Sequence, residues 1–389
     1  MKIYATVAEY NPLHLGHLKH IEYMKNFLHA DKIIVLMSGN FTQRGEPAVL
    51  NKYKRAKQAV IAGADLVIEL PTVFATANAE TFACGAINVL HGLGVADGLC
   101  FGVESGEKQD YISLAYAMNN ESKEFKKALK ERLNLGEGFA KARFEAVKSL
   151  GGEYDESLIS SPNNILGLEY TKALLKKDTL IDIFPMKREG DHNDVTLKKG
   201  VTSATSIRNV IKTARLKKLK KCLPPYVYQD LTPYPFAFDK MIMTKLITEP
   251  TENIKEISDC TEGLENRIKA LSKDNRTVDQ LVARASTKRY TAARIRRILV
   301  SNLLGITDDL VQDCLNSNLY AKVLAVSKDD KDLIAEISKK GTIPLITRKS
   351  DADSLKKTAA ACFEKDVLAN ELYNLAADEK ENEYLMLKV

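Results

Sequence analysis

Four short apolar runs constrain what this chain can become: residues 2–8 (Lys-Ile-Tyr-Ala-Thr-Val-Ala), Lys32 to Met37, Leu66 to Leu70 and Gly98 to Val103. Each has strand length and is rich in β-branched or other apolar residues. The segments between them have helical period: a helix beginning near Gly16, an amphipathic helix from Lys52 to Ala62, and a helix from Thr76 to Leu90 with Thr76 as its cap. Strands that alternate with helices build a parallel, doubly wound α/β sheet, because each parallel connection needs a crossover. Such sheets take ligands in the crevice at the carboxyl ends of their strands.

The first of those carboxyl ends carries the chemistry. Pro12 forbids continuation of the strand, and His14-Leu15-Gly16-His17 follows where a helix begins. Gly16 lets backbone approach a ligand, the first helical N–H groups lack partners, and the dipole favours an anion there. Two imidazoles beside such a terminus can donate to phosphate oxygens. A metal pair is the weaker reading, since no Cys or further His nearby completes a ligand spacing with His20. A second helix start, Ser203-Ala204-Thr205-Ser206-Ile207-Arg208, offers Ser203 as a cap and Arg208 one turn in. H-x-G-H followed about one domain later by S-x-T-x-x-R is the paired signature of nucleotidyltransferases, in which both elements close on nucleotide phosphates. The loops Ser38 to Pro47 and Gly102 to Gly106 are polar and glycine-bearing after buried strands, as site loops are.

Five stretches together, Glu9 to His17, Ser38 to Pro47, Asp65 to Pro71, Ser203 to Arg208 and Thr287 to Thr291, resemble the bacterial tRNA(Met) cytidine acetate ligase family over nearly the whole chain. The chain departs from the expected pattern at Leu13 and Leu15, where Phe and Asn are expected, and Ala204 fits that family's own variant of the second motif. The resemblance implies a Rossmann-like nucleotidyltransferase domain and an enzyme that activates acetate with ATP. It transfers the acetyl group to N4 of the wobble cytidine in the anticodon region of elongator tRNA(Met). The resemblance also implies ATP contacts from Val7, Ala8, Glu9, Tyr10, Asn11, Pro12, His14, Gly16, His17 and His20. Gly102, Arg188 and an asparagine of Ser161-Pro162-Asn163-Asn164 are implied too; Asn163 matches the first asparagine after Ser-Pro, and Asn164 stays open. In the expected mechanism His14 and His17 are the catalytic pair at the reacting phosphate, and Ser203, Thr205 and Arg208 hold the β- and γ-phosphates. Mg²⁺ is expected to come with the phosphates, with no metal ligand from the protein.

Charge agrees with an RNA substrate in its distribution more than in its sum. Against 57 basic residues stand 51 acidic ones, a net +6, yet Arg208 to Lys221 holds seven Lys or Arg and Arg284 to Arg297 holds six, neither with an acid. Basic runs neutralise phosphates. Lys288, Arg289, Tyr290, Arg294, Arg296 and Arg297 are the expected tRNA contacts, with the Tyr290 ring available for stacking. Six cysteines without C-x-x-C spacing read as free thiols, and the absence of a signal-length or membrane-length apolar run points to the cytoplasm without a membrane partner.

A helix from Asn163 to Lys177, a strand from Leu180 to Phe184 and a polar loop from Arg188 to Asn193 complete the first part. Proline density at residues 224–235 marks a division near 215. The expected organisation is therefore a catalytic domain over 1–215, then a mainly helical, basic tRNA-binding region over 216–389. Ile295, Ile298, Leu299 and Leu303 form one of its apolar faces. A small α/β element closes that region: Ala321 to Val326, a helix from Asp330 to Lys339, and Thr342 to Ile346. Two alternatives share the motifs: an adenylyltransferase acting on a small molecule, and a non-catalytic RNA-binding protein with a degenerate nucleotide fold. A class I aminoacyl-tRNA synthetase relative should carry a K-M-S-K-S-like loop, which this sequence lacks.

Overall fold

A computed structural model describes the chain apart from residues 138, 150, 152–153, 178, 189–202, 233, 235–236, 288, 329 and 331. Lys288 and most of the loop expected from Arg188 to Asn193 lie outside the described residues.

The apolar runs form one eight-stranded sheet. Its strands are β1 (Ile3–Ala8), β2 (Lys32–Ser38), β3 (Leu66–Leu70), β4 (Gly98–Val103), β5 (Asp182–Lys187), β6 (Ala321–Val326), β7 (Leu345–Ile346) and β8 (Leu387–Lys388). Their order is β8-β6-β3-β2-β1-β4-β5, with β7 beside β6. The helices that matter to the site are α1 (Leu15–Asn26), α2 (Lys52–Ile61), α3 (Ala79–Leu93), α4 (Pro162–Leu175), α5 (Ala204–Lys212), α6 (Ala292–Leu304) and α7 (Lys357–Ala377).

β1 is the switch point of the winding, with β2 and β3 on one side and β4 and β5 on the other. It pairs with β2 along its whole length, to Ala8↔Met37, but with β4 only at Tyr4↔Gly98 and Ala5↔Leu99. Beyond Ala5 the two strands part company, while β4 stays paired with β5 to Val103↔Lys187. A crevice therefore opens between the carboxyl ends of β1 and β4, the place where open α/β sheets bind ligands.

Several expectations shift. The core is parallel, but β6 runs antiparallel to β3, so the sheet is mixed. The small α/β element is present as β6, a helix at Asp332–Lys340 and β7. It extends the same sheet, so a division at residue 215 runs through a shared sheet. The helix expected from Thr76 is two helices, Thr72–Ala75 and α3. Asn78, not Thr76, caps α3 by accepting from Thr81 N (3.1 Å), while the Thr76 hydroxyl donates back to Thr72 O (2.9 Å). The strand expected at Leu180 begins at Asp182, and Leu180 is 97% exposed. β5 is an edge strand, where Pro185 is tolerated. The helical region forms as expected, with Ile295, Ile298 and Leu299 buried on α6 and Leu303 packed against the core. Its Phe238 sits 5.2 Å from the Phe41 ring and 5.8 Å from that of Tyr373 on α7, keying these helices to the loop after β2.

Candidate active site

The chain leaves β1 through Tyr10 in a left-handed conformation (φ 45°) and enters α1 with His14 as the N-cap. His14 Nδ1 accepts the Gly16 N–H (3.1 Å), and His17 Nδ1 accepts the His14 N–H (3.2 Å). This is a capping box in which two imidazoles replace the usual hydroxyl and carboxylate. Because each Nδ1 is an acceptor, each ring carries its proton on Nε2. The rings stack at 3.8 Å, with the edge of Tyr10 against His17 at 4.9 Å. Burial drives the His17 pKa well below the usual imidazole value, helped by His14, Arg188, His20 and Arg208. Burial and then Arg188 bring His20 down to about 4, and its Nε2 lies 3.1 Å from Cys100 Sγ. The cluster is thus neutral near pH 7 and offers N–H donors. Leu13 is fully buried, so the change from Phe at that position is one of packing.

Arg208 joins the two motifs. α5 starts at Ser203, whose Oγ accepts the Ser206 N–H (3.2 Å), and Arg208 lies one turn in. Its guanidinium donates to Asn11 O (3.0 Å) and to Thr205 Oγ1 (3.2 Å). Asn11 is only 2% exposed, and its Oδ1 accepts Val49 N–H (2.8 Å). That bond fixes the amide, leaving Nδ2 buried with no hydrogen-bond partner among the described residues. A buried donor without a partner costs about 1–3 kcal/mol, so a site holding one is built for an acceptor.

The opposite wall comes from β4 and α4. Asn164 is fully buried: Oδ1 accepts the Glu104 and Ser105 N–H groups (2.8 and 3.3 Å), and Nδ2 donates to Ser105 Oγ and Ser157 O. It shapes the loop. Asn163 faces the cleft and donates to Glu104 Oε1 (2.6 Å). Arg188 Cδ lies 3.0 Å from where a Cβ on Gly102 would stand, so the absent side chain at 102 is what makes room for the arginine. Burial lowers the Arg188 pKa, against the pull of Glu104.

The cleft encloses about 260 Å³. Of the expected nucleotide contacts, Val7, Ala8, Glu9, Tyr10, Asn11, His14, Gly16, His17, His20, Gly102, Asn163, Arg188 and Arg208 line it. Pro12, Ser203 and Thr205 do not: Ser203 is spent as the helix cap and Thr205 is held by Arg208. The loop expected to serve the site brings Gln43 and Arg44 to the rim, and Lys19 of α1 joins them; sequence reasoning missed Lys187 and the apolar wall of Phe82, Phe101, Leu166 and Tyr170. It also missed Arg55, wholly buried on α2, which donates to Glu9 O (2.7 Å), Ser38 O (3.0 Å), Leu50 O (2.8 Å) and Gly39 O. The carbonyl ends of β1 and β2 are thereby tied together.

The family model described as HIGH Nucleotidyl Transferase matches residues 1–386. A tRNA(Met) cytidine acetate ligase of Acetivibrio thermocellus is 38% identical over 96% of this chain and 94% of its own. The chain belongs to the tRNA(Met) cytidine acetate ligase family. Among solved structures, Thermotoga maritima TmcAL in its apo form I superposes with a TM-score of 0.94 at 28% identity, covering 100% of both chains. The same protein bound with alpha-thio ATP gives 0.91, also at 28% identity and full coverage.

In this member of the ligase family the arginines expected to contact tRNA are largely committed to the fold. Arg297 pairs with Asp259 (2.9 Å), and Arg294 donates to Asp259 O (3.0 Å) and Thr261 Oγ1 (2.7 Å). Arg296 bonds Asp279 (2.5 Å) and reaches Glu46 (3.6 Å), which also meets Lys212 of α5 (3.4 Å). Gly45 (φ 69°) packs so closely on the Arg296–Arg297 backbone that a Cβ would stand 2.4 Å from it. Arg289 is 69% exposed on its side chain but paired with Glu262, and the Tyr290 ring has Arg289 and Arg294 over it at 5.8 and 5.5 Å. These acids all lie outside the run, which is why it read as free charge.

Gly102→Ala is expected to push Arg188 out of the cleft. Displacement should cost about 1–2 kcal/mol, a rise of roughly 5- to 30-fold in KM for ATP, with the thermal midpoint nearly unchanged. An unaltered KM in steady-state kinetics removes Arg188 from the nucleotide site.

Proposed function

We propose that this protein activates acetate with ATP and acetylates N4 of the wobble cytidine of elongator tRNA(Met), giving N4-acetylcytidine. The observation that carries the reading is the cleft at the β1/β4 switch point, where two Nε2-protonated imidazoles, the Asn11 amide and Arg208 converge. The fold is that of a relative crystallised with alpha-thio ATP.

The cytosine amine is a poor nucleophile because its lone pair is delocalised, and free acetate is a worse acyl donor. Activation comes first. An acetate oxygen attacks the α-phosphorus, the bond to pyrophosphate breaks, and N4 then attacks the acetyl carbonyl, expelling AMP and losing its proton. No side-chain nucleophile takes part. His14 and His17 donate to the α-phosphate oxygens as charge builds there, while Arg208 and the N-terminus of α5 hold the outer phosphates. Asn163 and Arg188 position the nucleotide from the far wall, which is catalysis by orientation. Among the described residues no group of three or more His, Cys, Asp or Glu could cage a metal. A magnesium ion here would ride on the phosphates and water and screen their charge. No helix among the described residues is long and apolar enough to cross a membrane.

The test is to incubate the protein with tRNA, ATP and labelled acetate and analyse the nucleosides by mass spectrometry. Labelled N4-acetylcytidine should form with AMP and pyrophosphate as co-products. Direct use of labelled acetyl-coenzyme A without ATP would overturn the mechanism, and a labelled or adenylylated small molecule in place of the modified nucleoside would turn the reading to a small-molecule adenylyltransferase.

A further inference from the structure

We propose that the exposed basic turn from Arg215 to Lys221, at the far end of α5 from the cleft, docks the phosphate backbone of the tRNA substrate; this rests on the function read above. The turn is a 3-10 helix, Leu216–Leu219. Leu219 is fully buried, and with Leu223 it enters the core cluster that holds Tyr10, Ile207, Ile211 and Val227. Anchoring those leucines turns Arg215, Lys217, Lys218, Lys220 and Lys221 outward, and all five are exposed.

None of the five pairs with an acid among the described residues. Packing five like charges into seven positions costs stability through self-repulsion, and nothing in the described fold offsets it. The run on and before α6 is different in kind: its arginines hold Asp259, Asp279 and Glu46. Four arginines of that run, Arg289, Arg294, Arg296 and Arg297, are paired with acids, whereas all five basic residues of the turn are left without one among the described residues.

Position supports the same conclusion. α5 is nine residues long, or about 13 Å at the usual helical rise, with Arg208 facing the cleft and the basic turn following its other end. That puts the turn within about one short helix length of the cleft, where nucleotides flanking a base held at the α-phosphate can reach it. Lysines, as point charges, suit backbone phosphates rather than base edges, so the contact contributes affinity without sequence preference. Tyr226 and Tyr228, half-buried on the next short helix Pro225–Gln229, offer rings on which unpaired bases can stack.

The experiment compares the full-length protein with Lys217→Gln/Lys218→Gln/Lys220→Gln/Lys221→Gln and, separately, Arg289→Gln. Binding of elongator tRNA(Met) is followed across a salt series, with acetate-dependent ATP–pyrophosphate exchange as the check on fold and cleft. Each lost phosphate contact should flatten the log–log salt slope by about 0.7–0.9. The quadruple variant should therefore lose about 3 to 3.5 units of slope and at least about tenfold in affinity at low salt. Its exchange rate should match wild type, and Arg289→Gln should bind almost normally. An unchanged slope in the quadruple variant, with wild-type exchange and tRNA binding intact, overturns the docking surface alone. So does loss of binding to anionic phospholipid vesicles with tRNA affinity retained. Absence of acetate-dependent exchange in the wild type instead overturns the reading of the cleft.

Discussion

His17→Ala is expected to slow acetate-dependent ATP–pyrophosphate exchange about 100- to 1,000-fold, the usual loss when a preorganised donor to a developing oxyanion is removed. His17 gives its Nδ1 to the His14 N–H, so the alanine also loosens the cap that aims His14. His17→Gln, whose amide N–H can reach the Nε2 position, should retain more activity than the alanine. Affinity for tRNA should be unaffected in both. Near-wild-type exchange by His17→Ala would remove the pair from the reacting centre. The pH profile separates donors from cations: with His17 held well below the usual imidazole value and His20 at about 4, the rate should show no inflection near 6.5. A histidine whose folded pKa is lowered binds fewer protons than its unfolded form, so stability falls as pH drops below about 6.5. For His20 the loss should be complete near pH 4.

How far the sequence alone reaches depends on whether the deciding contact is local. β3, β4 and β6 were read to the residue because a strand buried on both faces is a bounded apolar run. The His14–His17 cap and the Ser203 cap are contacts within three residues, and both were visible as motifs. Asn78 outcompeting Thr76 as a cap is also local, but the turn at Thr72–Ala75 between strand and helix hides it. The choice between Asn163 and Asn164 could not be made from spacing, since it depends on which amide the 104–105 loop claims. The ion pairs of Arg296 and Arg297 were invisible for the same reason, because Glu46, Asp259 and Asp279 come from other elements. The entry of β6 into the main sheet beside β3 depends on charges that would read as surface in any single strand.

Those charges support the second large effect: Lys322→Met is expected to destabilise the protein by about 3–5 kcal/mol, the cost of stranding a buried charge. Lys52 of α2, Glu69 of β3, Lys322 of β6 and Glu383 make a square with almost no exposure. Lys52 bonds Glu69 and Glu383 at 2.9 and 2.8 Å, and Lys322 bonds Glu69 at 2.9 Å and also Glu383. Burial alone would raise the Glu69 pKa, but Lys322 and Lys52 more than offset it and hold it low. A lowered carboxylate contributes its stability above its unfolded value of about 4.3 and loses it as pH falls through the folded value. In Lys322→Met two carboxylates share one ammonium, so the folded carboxyl value rises and the sign reverses: the defect should be larger at pH 8 than at pH 5. Adding Glu383→Gln restores one charge against one and should recover most of the loss in denaturant unfolding, a coupling that simple loss of packing would not produce. The consequence extends to the cleft. A Cβ at Gly39 would stand 2.3 Å from Glu69 Oε1, so the turn that brings Gln43 and Arg44 to the rim of the cleft rests directly on this square. Lys322→Met should therefore weaken ATP binding in parallel with stability, and the double variant should restore both together. Recovery of stability with ATP affinity still impaired would show that Lys322 acts on the cleft by some route other than the Gly39 turn.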